Sequence, residues 1–210
     1  MAKKNVSQNL TPQTLMIKIA LLTFFILFFS CNTKRKYTPK SKNDFAHEKL
    51  VIKDSLANDY YSQGLKAIRR NNYIDAKNYF NKAYKIENNN PIIVNALASA
   101  SFGSGDHSRA DALYLHAIST DSNYILSYIG YANYLRQKRQ LEKANKILLM
   151  AIHVKPDDYY KAWIYHDLAL VNVDLNKCDD AIEYANKAKI FSSSQDLSYF
   201  VKEIESLCKN

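Results

Sequence analysis

ILSYIGYANYLRQKRQLEKANKILLMAIHVKPDD, residues 125 to 158, carries two apolar stripes separated by a polar break. In its first half Tyr128, Tyr131, Ala132 and Leu135 fall at i, i+3, i+4 and i+7, which is one face of a helix of about three turns. Lys138, Arg139 and Gln140 interrupt that face. A second stripe runs from Leu141 through Ala144, Leu148, Ala151 and Ile152. Pro156 closes it, because proline lacks a backbone donor and disfavours helical backbone at Lys155. The stretch predicts a helical hairpin.

Ala132 and Ala144 mark where the two helices cross closely, leaving room for larger side chains opposite. Counting outward, Ala132 has counterparts at Gly64, Ala98 and Ala169; Ala144 at Ala76, Ala110 and Ala181; Ala151 at Ala83, Ala117 and Ala188. All three series step by 34, 34 and 37 residues. One such match means little, since alanine is common in helices. Three series in one phase over four units identify a repeat array.

With these residues the chain resembles the tetratricopeptide (TPR) family, whose 34-residue unit carries an aromatic, Leu-Gly, Tyr, Ala, an aromatic, Ala and Pro. The likeness covers Ala57 to about Gln195. The first unit meets the pattern with Tyr60, Gly64, Tyr73, Ala76, Phe80 and Ala83, and the third with Tyr128, Ala132, Leu141, Ala144, Leu148, Ala151 and Pro156. The second has Val94, Leu97, Ala98, His107, Ala110, Tyr114 and Ala117; the fourth has Tyr165, Leu168, Ala169, Cys178, Ala181 and Ala188. The resemblance implies an all-α fold, a right-handed α-solenoid of four TPR-like helical hairpins plus a C-terminal capping helix. The repeats fall at about 57–90, 91–124, 125–158 and 162–195, with the cap at 196–209, inside a TPR domain at 44–210. Tyr159 to Lys161 form a three-residue insertion, expected to set the fourth unit slightly out of register. Asp44 to Ser55 are expected to cap or extend the first helix. Leu197, Phe200, Val201, Ile204 and Leu207 form the stripe of the closing helix, with Lys202, Glu203 and Glu205 outward. No hairpin buries its faces alone, so the units depend on neighbours and caps.

Residues 1–30 have the layout of a signal peptide: basic Lys3, Lys4 and Lys18, no acidic residue, and the apolar run Ile19 to Phe29. That run has 11 residues, short of the roughly 20 a helix needs to cross a bilayer. Ser30 and Cys31 follow it, which resembles a bacterial lipoprotein signal, with Phe28 in a place that usually holds a smaller aliphatic. The resemblance implies acylation of Cys31 and a lipid-held N-terminus, palmitate-like chains making attachment effectively permanent. An uncleaved signal anchor and an ordinary cleaved signal are the alternatives. Residues 31–43 read as a basic linker, with Lys34, Arg35, Lys36, Lys40, Lys42 and Pro39 and too little apolar surface to pack a core.

This linker also accounts for the charge. Of the formal +9, residues 1–30 carry +3 and the linker +5, so Asn43 to Asn210 hold 21 basic against 20 acidic residues. The folded part is near neutral. A nucleic-acid binder gathers its basic residues where phosphates lie; here they flank a membrane attachment point, where anionic headgroups attract them or they simply keep a linker solvated.

Cys178 begins the second helix of the last unit and Cys208 ends the closing helix, so antiparallel packing brings them to matching heights. They can meet as a disulfide in a non-cytoplasmic compartment. Two separate thiols packed as small apolar groups is the arrangement that spacing alone favours, because a helix face cannot be fixed to one residue from sequence.

No catalytic constellation stands out. His47, His107, His116, His153 and His166 occupy different phases of the repeat, with neither HExxH nor CxxC, which argues against a metal site. Asp157–Asp158 and Asp179–Asp180 stand where helices begin, a place that capping and the helix dipole explain. Gly103-Ser104-Gly105 reads as an interhelix turn, not a phosphate loop. The reading is not an enzyme, with no cofactor and no small-molecule substrate.

In TPR proteins the first helix of each unit lines a curved inner wall that holds peptides. Carried onto this chain, that face is Asn58, Tyr61, Leu65 and Ile68; Ile92, Asn95, Ser99 and Phe102; Leu126, Ile129, Asn133 and Arg136; Trp163, His166, Leu170 and Val173. Tyr61, Asn95, Phe102, Asn133, Arg136, Trp163 and His166 are the candidate partner-binding residues, since aromatics and arginine anchor interfaces and amides bond a partner's backbone. Packing between units is the competing role for Tyr61, Phe102 and Trp163. Arg136 is the firmest of the set, because core packing has no use for a guanidinium. The wall lacks the lysine, asparagine and arginine set with which some TPR domains grip a chaperone's C-terminal carboxylate. The resemblances together imply a non-catalytic adaptor, lipid-anchored outside the cytoplasm of a bacterial envelope, taking an envelope protein or peptide in the wall and no nucleic acid. The alternative is a structural subunit of an envelope assembly that self-associates through its outer face or closing helix.

Overall fold

Four helical hairpins and a closing helix make up the described residues of the computed structural model, 50–192 and 195–209. The signal, linker and Cys31 readings lie outside them. The hairpins are α1 (Ser55–Arg69) with α2 (Tyr73–Ile86), α3 (Pro91–Gly103) with α4 (His107–Thr120), α5 (Ile125–Gln137) with α6 (Leu141–His153), and α7 (Asp158–Asp174) with α8 (Cys178–Phe191). The closing helix is α9 (Gln195–Leu207). Each first helix packs on its own second helix and on the first helix of the next unit where α3 meets α5 and α5 meets α7. The result is an α-solenoid.

Local chemistry sets the helix ends. Asp54, Asn72, Asn90 and Asp157 each accept a backbone N–H of the first turn they precede, and Pro91 opens α3, where its missing donor costs nothing. Inside every hairpin the first helix ends on one left-handed residue: Asn71 (φ 58°), Gly105 (φ 86°), Arg139 (φ 58°) and Asn176 (φ 59°). The next backbone N–H reaches back five residues, Asn72 to Ala67 (3.0 Å), Asp106 to Ser101 (2.8 Å), Gln140 to Leu135 (2.9 Å) and Lys177 to Asn172 (2.8 Å). This satisfies a carbonyl the helix end would leave orphaned. These turns repeat at the 34, 34 and 37 spacing of the alanines.

Ala98, Ala132 and Ala169 are at most 1% exposed, and the eight alanines of the other two series are all 0% exposed. Gly64 shows why small residues are required: a Cβ there would stand 2.4 Å from a ring carbon of Phe80 on α2. The fourth unit is in phase with the others, contrary to the expectation from its insertion. α7 has 17 residues against 13 in α5, so the three extra residues become one more turn at its start and the alanines behind it return to register.

The fourth unit has Ala185 where the others have Phe80, Tyr114 and Leu148. Phe200, Val201 and Ile204 of α9 pack into that space against Ala169, Ala181 and Ala185. Leu207 is not part of this face; it is 53% exposed, and half-buried Cys208 takes the place, while Glu205 is half-buried and not outward. The reason is the helical period: from Leu197, residue 208 returns to the buried stripe and residue 207 does not. Cys208 is thereby joined to Cys178 in a disulfide, Cα atoms 5.4 Å apart, and not left as a separate thiol. At the other end, residues 50–54 run without helix along the α2–α3 turn, held by Asn90 Nδ2 donating to the Val51 carbonyl (3.0 Å) and Asp54 N donating to Glu87 Oε1 (2.6 Å). None of the helices among the described residues is long and apolar enough to cross a membrane.

Candidate functional site

The side-by-side first helices α3, α5 and α7, with α1 at the end, present one wall. Its aliphatic side chains, Leu65, Ile68, Ile92, Leu126, Leu170 and Val173, are half-buried, so each packs on the array yet keeps a solvent-facing side. Asn58, Ser99 and Trp163 are exposed, and Ile129 is buried.

The seven candidate residues divide by what they touch. Tyr61 lies against Phe80 (ring centroids 5.5 Å), and burial pushes its phenol pKa up. Burial also raises Tyr124, reinforced by the neighbouring phenols of Tyr61 and Tyr160. Phe102 meets Tyr134 edge-on at 5.1 Å and His107 at 5.4 Å. Both aromatics are packing residues first. Asn95 turns its Oδ1 onto Gly130, where an added Cβ would stand 2.8 Å away, and that oxygen is buried without a hydrogen-bond partner among the described residues.

Asn133, Arg136 and His166 form a polar seam between α5 and α7. Asn133 Nδ2 donates to Asp167 Oδ2 (3.3 Å), and His166 Nδ1 lies 3.1 Å from Asp167 Oδ1. The imidazole is stacked on Phe200 of α9 at 4.2 Å. Arg136 Nε donates to Asp174 Oδ2 at 2.6 Å, and Arg139 Nη1 approaches the other oxygen at 3.4 Å. The guanidinium therefore has a structural use, contrary to the expectation that packing offers it none, and the wall presents no unpaired cation there. Sequence reading missed Asp167 and Asp174. A signal was present: they lie 34 and 38 residues beyond their partners, one repeat on.

Trp163 is the one candidate aromatic that faces solvent, 46% exposed, with Tyr159 at 5.7 Å on the added turn of α7. Among the described residues no group of three or more His, Cys, Asp or Glu is placed to hold a metal. An open depression of about 420 Å³, lined by Arg70 to Ile74, Gly103 and Ser104, lies at the interhelix turns.

Solved structures share this architecture. The chain is similar to Pseudomonas aeruginosa PilF at 24% identity, covering 73% of this chain and 75% of that one, with a TM-score of 0.61. It is similar to TTC0263, a thermophilic TPR protein of Thermus thermophilus, at 19% identity, covering 70% and 80%, TM-score 0.61. The chain folds as a tetratricopeptide repeat array. A third TPR domain, the first of Spaghetti (RPAP3), solved with the HSP90 peptide SRMEEVD, matches at 19% identity over 57% of this chain and 95% of that one, TM-score 0.51. No protein-family model matches the sequence, and no curated protein matches it significantly. Along the wall of this array stand Tyr61, Leu65 and Leu126, and Arg136 is held by Asp174.

Proposed function

We propose that this chain is a non-catalytic adaptor, lipid-anchored through Cys31 to a bacterial envelope membrane, that receives a partner protein or peptide along its inner wall. The observation that carries the reading is the row of half-buried aliphatic side chains on α1, α3, α5 and α7. These offer apolar area beside an Arg136 that Asp174 already holds, so the partner that fits is a segment with apolar side chains and available backbone groups. The TPR domain of Spaghetti with its bound HSP90 peptide is a precedent for peptide capture on this fold. The test is capture of the envelope partner by the full chain and by Ile92→Glu/Leu126→Glu, with helicity monitored. Loss of capture at unchanged helicity supports the wall; undiminished capture moves the site elsewhere.

One observation favours the structural-subunit alternative. Leu115 and Leu149, one repeat apart on the second helices α4 and α6, are 49% and 37% exposed, with Met150 beside them at 42%. Size-exclusion chromatography with light scattering separates the two: an oligomer that persists on dilution belongs to the alternative, a monomer to the adaptor.

A further inference from the structure

The closing helix α9 is a first helix without a second. It packs on both α8 and α7, as α5 packs on α4 and α3 and as α7 packs on α6 and α5, so it stands in the seat of a fifth unit. The seat is shaped for it. Ala185 leaves a space on α8 that Phe200, Val201 and Ile204 fill, with half-buried Leu170, Val173 and Ile182 around them. His166 of α7 lies against Phe200, ring to ring at 4.2 Å. A helix without large side chains at the spacing of 200, 201 and 204 would leave that space empty.

This helix is tied at both ends and lightly held between them. Three serines, Ser192 to Ser194, join it to α8, and the Cys178–Cys208 bond fastens its far end. Between the ties, Phe200, Val201 and Ile204 are the described side chains that it buries, whereas α5, also of 13 residues, buries eight. Those three share a cluster of their own with Ala169, Ala181 and Ala185. The main cluster reaches Ile164, Leu168 and Val171 of α7 and contains no residue of α9. The helix can therefore leave while the four hairpins keep their core. Both cysteines are half-buried, not sealed, so a thiolate can approach the bond.

We infer that α9 is an exchangeable arm latched by the Cys178–Cys208 bond: once a dithiol opens the latch, the seat on α7 and α8 takes the α9 of a second copy. The opening is thiol–disulfide exchange. A thiolate of the dithiol attacks one sulfur of the bond, and the other cysteine leaves as a thiolate and takes up a proton. The dithiol's second sulfur then displaces the first cysteine, so Cys178 and Cys208 end as thiols and the dithiol as its own disulfide. The occupant is a second copy because arm and seat are already in contact within one chain, and the second copy carries the same pair. An exchanged dimer remakes the contacts of the closed monomer and loses the freedom of two separate molecules, so dilution favours the monomer and concentration the dimer. With the bond made, the arm fills its own seat and the chain stays a monomer. The inference goes beyond the adaptor reading and does not rest on the anchor or on the partner of the wall.

The experiment mixes equal amounts of unlabelled and heavy-isotope-labelled full-length chain, concentrated in excess detergent. One portion stays oxidised; the other is reduced with dithiothreitol and reoxidised with glutathione disulfide. Mass spectrometry of a digest made without reductant then reads the peptide pair joined by Cys178 and Cys208. Pairs of one light and one heavy peptide are expected to be absent from the oxidised portion and to approach half of all pairs in the cycled one, with a dimer by light scattering while reduced. Cycling that yields only same-isotope pairs overturns the inference, whether or not a dimer is seen, because the arm has then kept its own seat. Phe200→Glu/Ile204→Glu spoils the arm without touching the cysteines and is expected to abolish both the dimer and the mixed pairs; mixed pairs undiminished in it overturn the inference, since the bond then forms without a seated arm. Cys178→Ser/Cys208→Ser is expected to dimerise with rising concentration and no reductant, and a folded variant that stays a monomer throughout contradicts the latch. The isotope measurement is made on the native chain, so it decides the matter even where this variant loses helicity.

Discussion

Arg136 on α5 and Asp174 on α7 form the closest ion pair between neighbouring units among the described residues, Nε to Oδ2 at 2.6 Å, in a position where both side chains are only partly solvated. It ties the third unit to the fourth beside the hydrogen bond from Asn133 to Asp167. In an array whose stability is a sum of unit and interface contributions, such a seam governs whether the last unit unfolds with the rest.

Removing one partner leaves the other charge partly desolvated, so Arg136→Ala is expected to cost about 1 kcal/mol, more than an open surface pair and less than a buried one. A double-mutant cycle with Asp174→Ala in urea melts checks this, and a coupling near zero would remove the pair from the account. Arg139→Ala, with a 68% exposed side chain and a 3.4 Å approach, is expected to couple weakly.

Arg139 carries a second prediction. Its φ of 58° is left-handed, at the place where the second unit uses Gly105. That conformation costs a residue with a side chain roughly 1–2 kcal/mol, against about 0.5–1 kcal/mol of entropy that glycine loses on folding. Arg139→Gly is therefore expected to raise the melting temperature slightly, and a lower one would show the turn is not strained.

Gly64→Ala tests the close crossing of α1 and α2. Alanine gains about 1 kcal/mol in helix propensity, but its Cβ would stand 2.4 Å from the Phe80 ring, which is 1% exposed and has nowhere to go. Overpacking of this kind costs about 1–3 kcal/mol, so the net change is destabilising in thermal unfolding. Ala144→Leu is expected to act likewise at the third unit.

The Cys178–Cys208 bond closes a loop with a sequence separation of 30, and on chain-entropy grounds contributes about 3–4 kcal/mol to holding α9. Adding a dithiol reductant is expected to lower the melting temperature and speed hydrogen exchange in α9 first. Two alkylated cysteines in the non-reduced mature protein would show that the bond does not form.

Alkali gives a further handle. Tyr114 and Tyr131 stack at 5.7 Å between the second and third units, and both phenols are pushed up from 10.0 to about 12. Burial is the main cause for each; for Tyr131 the next is its hydrogen bond to Asp111 (3.0 Å). A folded pKa above the unfolded one means the folded state keeps its protons longer, so this stability is whole below pH 10.0 and is lost as pH rises towards about 12. Denaturant melts across that window, with tyrosinate absorbance, are expected to show unfolding and late titration together.

The fold was legible because its repeat is written in small residues: Ala98, Ala132 and Ala169 are at most 1% exposed and Gly64 has no room even for a Cβ, so the sequence shows the packing directly. The turns were half legible, since Asn71, Gly105 and Asn176 suit left-handed backbone and Arg139 does not. The wall was legible as a face but not as chemistry. Whether Phe102 points to solvent depends on Tyr134 and His107 from other helices, and whether Arg136 is free depends on Asp174 a repeat away. Cys208 shows the same limit: a one-residue choice of helix face, between it and Leu207, decided the disulfide.

Site-specific photocrosslinking in native membranes tests the adaptor reading most directly, with the crosslinker placed in turn at Leu126 on the inner wall and at Leu149 on the outer helix α6. The account predicts a covalent adduct to a different envelope protein from Leu126 and none from Leu149. Adducts from Leu149 to a second copy of this chain, with Leu126 silent, would contradict it.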